Sequence, residues 1–380
     1  MLLPSTTAKT PSVELLMNLW AERYTVDVSS LSKNPKFYGE LIKAASPEAR
    51  ALTASKLLKN VLERTINQID IQAKLLYEYI PEIIDIPLGQ QITQFARQVY
   101  QKLLEVYQQQ SGIMVNPVAG DIATGDASGQ ISLSLSTIPN IEKLANDIEQ
   151  VLLKYQDQHI VAKDWRVLGF LTTLFNFSNK LLINQLTSVE KVLLCPYFKF
   201  LEEQVAIPWQ RVCAAAARHQ LGSPSLTIVA QMFPVAYEIS STVYCQLLQL
   251  FPNHRSLRGG LSHPDVAHSC LRDLDMFQAY LWLSLLEENL KPIEQELVPL
   301  CVMVMPSVGV AWEMIDKWRS VLVDEIESRV HLEHQPLLLN YTQGMEQAFF
   351  EERKRLGHQD GMITIPSNLA VAMSLENINR

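Results

Sequence analysis

From Pro139 to about Leu356 the chain keeps a helical apolar rhythm almost without a break, and this constrains the fold more than any other feature. Its interruptions are Pro196, Pro208, Gly222-Ser223-Pro224, Pro252-Asn253, Arg258-Gly259-Gly260, Pro292, Pro306 and Pro336. A proline removes a backbone donor and crowds the preceding turn, so each of these marks an end or a kink. Spacings of roughly 15 to 30 residues between them predict helices packed as a bundle or a globin-like array. Glycine is scarce, at 14 of 380 residues, and Leu, Gln, Glu and Ala fill the long stretches, which favours helix over strand. The expected fold class is all-α.

The first part of the chain carries the same signals. A helix is expected from Ser12 through Trp20, and Ser46-Pro47-Glu48 reads as an N-cap followed by proline in the first helical position. Leu52, Leu57, Leu58, Val61, Leu62, Thr65 and Ile66 then trace one apolar face, and a further helix spans about Leu88 to Gln109. Residues 111–140 break the pattern, with Gly112, Gly120, Gly125, Gly129, Pro117 and Pro139 among many Ser and Thr. This stretch reads as a linker and domain boundary, with a short strand within Gln130–Ser136, where apolar and polar residues alternate. The expected organisation is an N-terminal helical domain over 1–110, a linker over 111–140, a helical domain over 141–356 and a loosely held tail over 357–380.

Composition excludes several function classes. Hydrophobic residues make up 48% and charged residues 19%, which suits a packed core and not a disordered chain. The formal net charge is −8, and no cluster of Lys and Arg is present to neutralise phosphates, so no nucleic-acid partner is expected. Arg353-Lys354-Arg355 follows Glu351-Glu352 and reads as a solvated helix face. The longest uncharged window, Leu297–Trp312, contains Pro299 and Pro306 and is too short to cross about 30 Å of hydrocarbon. No secretory signal is expected at the start of the chain, where no basic region precedes an apolar stretch. The five cysteines, at 195, 213, 245, 270 and 301, form no C-x-x-C pair, which points to reduced thiols in the cytoplasm.

Motif by motif, catalysis finds little support. Gly120 and Gly125 have phosphate-loop spacing, but Asp126 and Ala127 follow where Lys and Ser or Thr are needed. His331 and His334 sit three apart, without the spacing of a zinc-protease helix, and no metal is expected there. His254, His263 and His268 share no helix face. No nucleophile elbow occurs. Glu202-Glu203 and Glu287-Glu288 read as exposed helix ends. The chain is therefore expected to be no enzyme.

The richest stretch runs from Ser240 to Tyr280. A helix containing Ser240-Ser241-Thr242-Val243-Tyr244 ends in Leu250-Phe251-Pro252. The loop Arg258-Gly259-Gly260 follows, and a long helix starts near Ser262-His263-Pro264. On it, Cys270 and Asp273 stand three apart on one face, which Phe277 and Tyr280 extend, and Arg272 lies on the flank. A thiol, a carboxylate, a guanidinium and aromatic rings beside a loop suit an extended ligand with anionic and NH-bearing parts.

This ordered series resembles the phycobiliproteins, the β-type and allophycocyanin-like subunits in particular. It is densest over about forty residues and extends weakly over roughly 185–356. The resemblance implies a globin-like C-terminal fold. It also implies a linear tetrapyrrole (bilin) as ligand: Cys270 as thioether attachment, Arg272 on a propionate, Asp273 on the pyrrole NH groups, and Tyr280 beside them. The chain departs from the family at Ala279, where an Arg is usual, and at Glu287-Glu288-Asn289-Leu290, which replaces a Gly-Asp-Ala-Ser turn. Fold and site are separable, so a bilin-bound and a bilin-free protein both stay open. Two functions follow as expectations. One is a non-enzymatic binding or regulatory protein of cyanobacterial, phycobilisome-related type, with a phycobilisome component as protein partner. The other is a helical regulatory or scaffold protein acting by protein contact, with Tyr197, Phe198, Phe200 and Trp209 either on its surface or as a buried stripe.

Overall fold

A computed structural model describes residues 9–24, 35–58, 62, 64, 67, 71, 86–110, 114–115, 133–134, 141–148, 151 and 166–356. The described chain is mostly helical. Its helices are α1 (Pro11–Glu22), α2 (Pro35–Ala44), α3 (Pro47–Leu57), α4 (Ile86–Gln109), α5 (141–148), α6 (Arg166–Asn184), α7 (Ser188–Ala206) and α8 (Trp209–Ala215). After them come α9 (Pro224–Met232), α10 (Ala236–Leu250), α11 (Pro264–Glu287), α12 (Val298–Ser307), α13 (Trp312–Arg329) and α14 (Gln335–Arg355). A 3-10 turn (Ala216–Arg218), a π-helical turn (Ile293–Leu297) and two antiparallel pairs of two-residue strands add to these: β1 (Met114–Val115) with β2 (Leu133–Ser134), and β3 (Arg255–Ser256) with β4 (Gly259–Gly260). Strand β2 falls inside the alternating Gln130–Ser136 run. The rest of the expected linker and the tail over 357–380 lie outside the described residues.

Local chemistry explains the helix starts. Thr10 and Ser46 cap α1 and α3 by accepting from Val13 N and Ala49 N, with Pro11 and Pro47 in the first turn. Thr187 and Glu190 form a reciprocal capping box on α7, with Thr187 N donating to Glu190 Oε2 at 2.7 Å. His263 caps α11, its Nδ1 accepting from Asp265 N at 3.3 Å, with Pro264 next. That helix ends at Glu288, which holds a left-handed φ of 56° without being glycine.

The described residues divide into two compact units, one ending at Pro234 and the other beginning at Val235. In the first, α1 packs on α8 and α9, α3 on α4, and α6 on α7, while α2 and α4 also meet α7. Its core is aromatic. Trp20, Tyr24 and Phe200 meet edge-on or tilted at 5.4–6.4 Å between centroids, and Tyr100 meets Phe175 and Phe198 in the same way at 5.5 and 6.1 Å. Tyr197, Phe198, Phe200 and Trp209 are all buried here, so they form the interior stripe and not a contact surface. Glu202 and Glu203 are buried too, contrary to the exposed helix end expected for them. The next residue along α7, Gln204, is also buried, so this turn faces packed neighbours around its circumference.

In the second unit, α10 packs on α11 and α13, and α14 on α11, α12 and α13. Every residue from Leu274 to Leu286 is buried, so this half of α11 is enclosed all round, as its nearly unbroken apolar sequence requires. Phe277 lies between Trp318 and Phe349, 5.5 Å from each in stacked geometry. Gly344 sits mid-helix in α14, where glycine costs about 1 kcal/mol relative to alanine. A Cβ there would collide with the Leu290 side chain, coming within 2.9 Å of its Cδ2 and closer still to Cδ1, so the close approach keeps the glycine.

Candidate functional site

The Gly-Gly loop is a tight hairpin. Ser256 pairs with Gly259 and Arg255 with Gly260, and Gly259 has φ 128°, a value side chains rarely adopt. Tyr244 on α10 donates its hydroxyl to Leu261 O at 2.7 Å and pins the loop to that helix. Arg258 donates to Ser269 Oγ at 3.3 Å and lies 3.8 Å from Asp265, which ties the loop to the first turns of α11. The loop guanidinium is thereby committed to the protein itself.

The four expected ligand residues stand on α11 as read, but their environments separate them. Cys270 is 7% exposed and packs in an apolar cluster with Leu261, Val266 and Met314, covered by Tyr244, Leu248, Phe251 and Val310. Burial pushes its thiol up to about 12, Asp273 adds to the rise, and Arg272 opposes it. The neutral thiol is a weak nucleophile. Arg272 and Asp273 are half-buried and grip each other: Nε and Nη2 of Arg272 both donate to Asp273 Oδ1, at 3.1 and 2.8 Å. The guanidinium expected to reach an anionic group by the Gly-Gly loop thus neutralises the adjacent carboxylate. Tyr280 is enclosed in the fully buried half of the helix, its hydroxyl 3.4 Å from Glu296 Oε2. Cys270, Arg272 and Asp273 share one electrostatic neighbourhood, and Tyr280 belongs to the core beyond it.

This environment sets an order of reactivity for the five free thiols. Cys245 is exposed and Cys195 half-buried, while Cys213, Cys270 and Cys301 are buried with raised pKa. Iodoacetamide at neutral pH, followed by mass spectrometry, is expected to modify Cys245 first and Cys195 more slowly. Cys270 should react only after denaturant is added. Rapid labelling of native Cys270 would mean that the cluster opens and that the sulfur is available for a thioether.

Polar residues that motif reading passed over form two buried networks. In the second unit, Ser240 Oγ donates to Asp275 Oδ1 at 2.6 Å, and Gln278 Nε2 donates to Ser240 Oγ at 2.9 Å and to Ala236 O at 3.0 Å. All three side chains are buried. A serine beside a carboxylate suggests a nucleophile, but Ser240 is sealed from solvent, and its bonds tie α10 to α11. In the first unit, Glu203 accepts from Arg23 at 3.2 and 3.4 Å and from the Tyr24 hydroxyl at 2.7 Å, while Trp20 Nε1 donates to Tyr24 Oη at 3.2 Å. The Arg23 guanidinium lies 4.7 Å from the centroid of Trp209, so cation–π contact shields the pair. Local spacing gave no signal for either network, because the donors to Glu203 and Asp275 come from other segments of the chain.

Among the described residues no group of three or more His, Cys, Asp or Glu is arranged to hold a metal ion, and no helix is long and apolar enough to cross a membrane. Searches for relatives found no match to any protein-family profile, curated protein or solved structure.

Proposed function

We propose that this chain is a non-enzymatic helical protein that works by protein–protein contact without a bilin, and that its contact face is the outer side of α14, which meets a second copy of the chain in antiparallel register. One observation carries this reading. From Leu332 to Phe350 the exposed residues are Leu332, Glu333, Pro336, Leu339, Asn340, Gln343, Gln347 and Phe350, so Glu333 at the very start is the single charge. Leu339 is 41% and Phe350 57% exposed. From Pro336 to Phe350 the exposed stripe is uncharged and carries two large apolar side chains, which is unusual on the outside of a chain with a net charge of −8, and it lets two such chains meet without repulsion.

Charge at the two ends of the helix selects the orientation. Among the exposed residues of the C-terminal end, Lys354 and Arg355 outnumber Glu351, and Glu333 is exposed just before the N-terminus. Antiparallel pairing brings the Lys354 end of one copy to the Glu333 end of the other, sets Leu339 against Phe350, and opposes the helix dipoles. The absence of a bilin in this reading is supported by the environment of the four candidate residues. Cys270 fills an apolar cluster, and the carboxylate of Asp273 is already matched by Arg272. The phycobiliprotein resemblance then concerns ancestry of the second unit, with the ligand lost.

Phe350→Glu is the decisive variant, because its side chain is exposed and folding does not depend on it. Sedimentation velocity of the wild type at tens of micromolar is expected to show a dimer, and the variant to be monomeric at the same concentration. A monomeric wild type, or a dimer indifferent to Phe350→Glu and Leu339→Glu, refutes this face as the contact.

A further inference from the structure

Two residues flanking the β3–β4 hairpin, Phe251 and Leu261, close over Cys270 as part of the apolar cluster around the thiol. His263, at the start of α11, joins the hairpin to that helix. Its backbone N donates to Gly260 O at 2.9 Å, and its ring lies against Gly259, where an added Cβ would come within 3.2 Å of the ring Cγ. The same ring caps α11, with Nδ1 accepting from Asp265 N. Basic groups gather at this joint. From Pro252 to His268 the sequence has one acid, Asp265, against Arg255, Arg258, His254, His263 and His268. Asp265 lies 3.8 Å from Arg258. His254 is half-buried, with Nε2 sealed and without a hydrogen-bond partner, and burial holds its imidazole below the ordinary value. Of the elements packed here, α10 brings the Tyr244 hydroxyl, bound to Leu261 O, and the segment at Val308 and Gly309 brings no charge. From α13 comes Met314, next to the exposed Glu313, and beyond Cys270 on α11 the carboxylate of Asp273 is held by Arg272.

We propose that the β3–β4 hairpin is an acid-released cover over Cys270: as pH falls, His263 takes up a proton, the cap of α11 is lost, and the hairpin lifts from the thiol. Imidazoles change charge between about pH 8 and 5. A neutral imidazole can accept through Nδ1, whereas a protonated one donates from both nitrogens, so Asp265 N loses its acceptor. The new positive charge also stands at the helix end where the backbone dipole disfavours it. His254 adds a second charge beside Arg255, and its Nε2 is enclosed without an acceptor. Because burial favours the neutral form of His254, its contribution to the closed hairpin is present above the ordinary imidazole range and is lost as pH falls through it. General charge repulsion does not open the cover, since the whole chain approaches zero net charge in the same range, with a pI of about 5.6. The cover is independent of the contact face on α14.

4,4′-Dithiodipyridine tests the cover directly, because it exchanges with thiols in acid as well as at neutral pH. The cysteine sulfur forms a mixed disulfide, and pyridine-4-thione leaves with the thiol proton. The full chain is reacted at pH 7.5 and at pH 5.0, at submicromolar concentration, and each cysteine is followed by mass spectrometry. Exposed Cys245 is the internal reference, and buried Cys213 and Cys301 report general unfolding. Relative to Cys245, Cys270 is expected to react about tenfold faster at pH 5.0, the worth of one helix cap and one unfavourable charge at a helix start, while Cys213 and Cys301 stay protected. Asparagine caps a helix without titrating, so His263→Asn should remove most of the rise and His254→Gln the remainder. His263 is exposed, so its variant keeps the fold, and protection of Cys213 at pH 7.5 verifies this. An unchanged Cys270 rate overturns the proposal. A parallel rise at Cys213 and Cys301 also overturns it, because the chain is then unfolding as a whole. So does a rise undiminished in His263→Asn, because the cap is then not the trigger.

Discussion

Replacing Glu203 by alanine is expected to cost about 3–5 kcal/mol of stability in the first unit, the loss characteristic of removing one partner of a buried pair. Arg23 and Glu203 have side chains only 7% and 8% exposed. Without the carboxylate, the buried guanidinium of Arg23 loses the acceptor of two hydrogen bonds, and the Tyr24 hydroxyl loses its acceptor. Glu203→Gln keeps an acceptor for Tyr24 and should lose less. Urea unfolding followed by tryptophan fluorescence measures both, since Trp20 and Trp209 border the network. A loss under about 1 kcal/mol for Glu203→Ala would place this pair with ordinary surface ion pairs and contradict its burial.

Alkaline pH should unfold the chain well before its ordinary phenols and thiols account for it. Burial pushes Cys270, Tyr107 and Tyr197 up to about 12, from ordinary values of 9.0 for the thiol and 10.0 for the phenols. Tyr24, Tyr100, Cys213 and Cys301 shift in the same direction, with burial the largest cause in each. Between pH 9 and 12 the native chain therefore holds protons that the unfolded chain has released. Stability is fully present below pH 9 and falls as pH rises through that window. Each of the three groups contributes on the order of 3–4 kcal/mol by the top of it. Urea unfolding at a series of pH values from 8 to 11 is expected to show a steepening decline, and Cys270→Val should remove about one proton's share of the slope. A stability that stays level to pH 11 would mean these groups are solvated in the native state.

Much of the local architecture was legible because its causes are local. Ser46 before Pro47, and His263 before Pro264, are helix starts whatever surrounds them, since the cap bond and the fixed φ of proline act within a single turn. The helix through Leu274 to Leu286 was legible too, although Phe277 and Tyr280 were placed on a ligand face and the structure encloses the segment all round. Less legible was the fate of polar groups. Glu202-Glu203 looks the same in sequence as Glu351-Glu352, yet the first pair is buried and the second lies on a half-buried to exposed edge. The difference is set by what packs against each turn, and for Glu203 the partners Arg23 and Tyr24 stand about 180 residues away.

The candidate ligand set shows the same division. That Cys270 and Asp273 share a face follows from helix geometry and could be read directly from their spacing. Whether that face lines a crevice depends on Leu261, Met314 and Val310, which come from other elements and close over the thiol. Asp273 had two available cations in sequence terms, Arg258 of the loop and Arg272 beside it, and the folded chain assigns Arg258 to Asp265 and Arg272 to Asp273. The sequence by itself determined a helical chain, most of its helix starts and the register of residues along each helix, because those depend on contacts within four or five positions. The tertiary structure alone decided which carboxylates are buried and paired, which thiol is sealed and which helix face stays open, because these depend on distant segments whose approach no local pattern encodes.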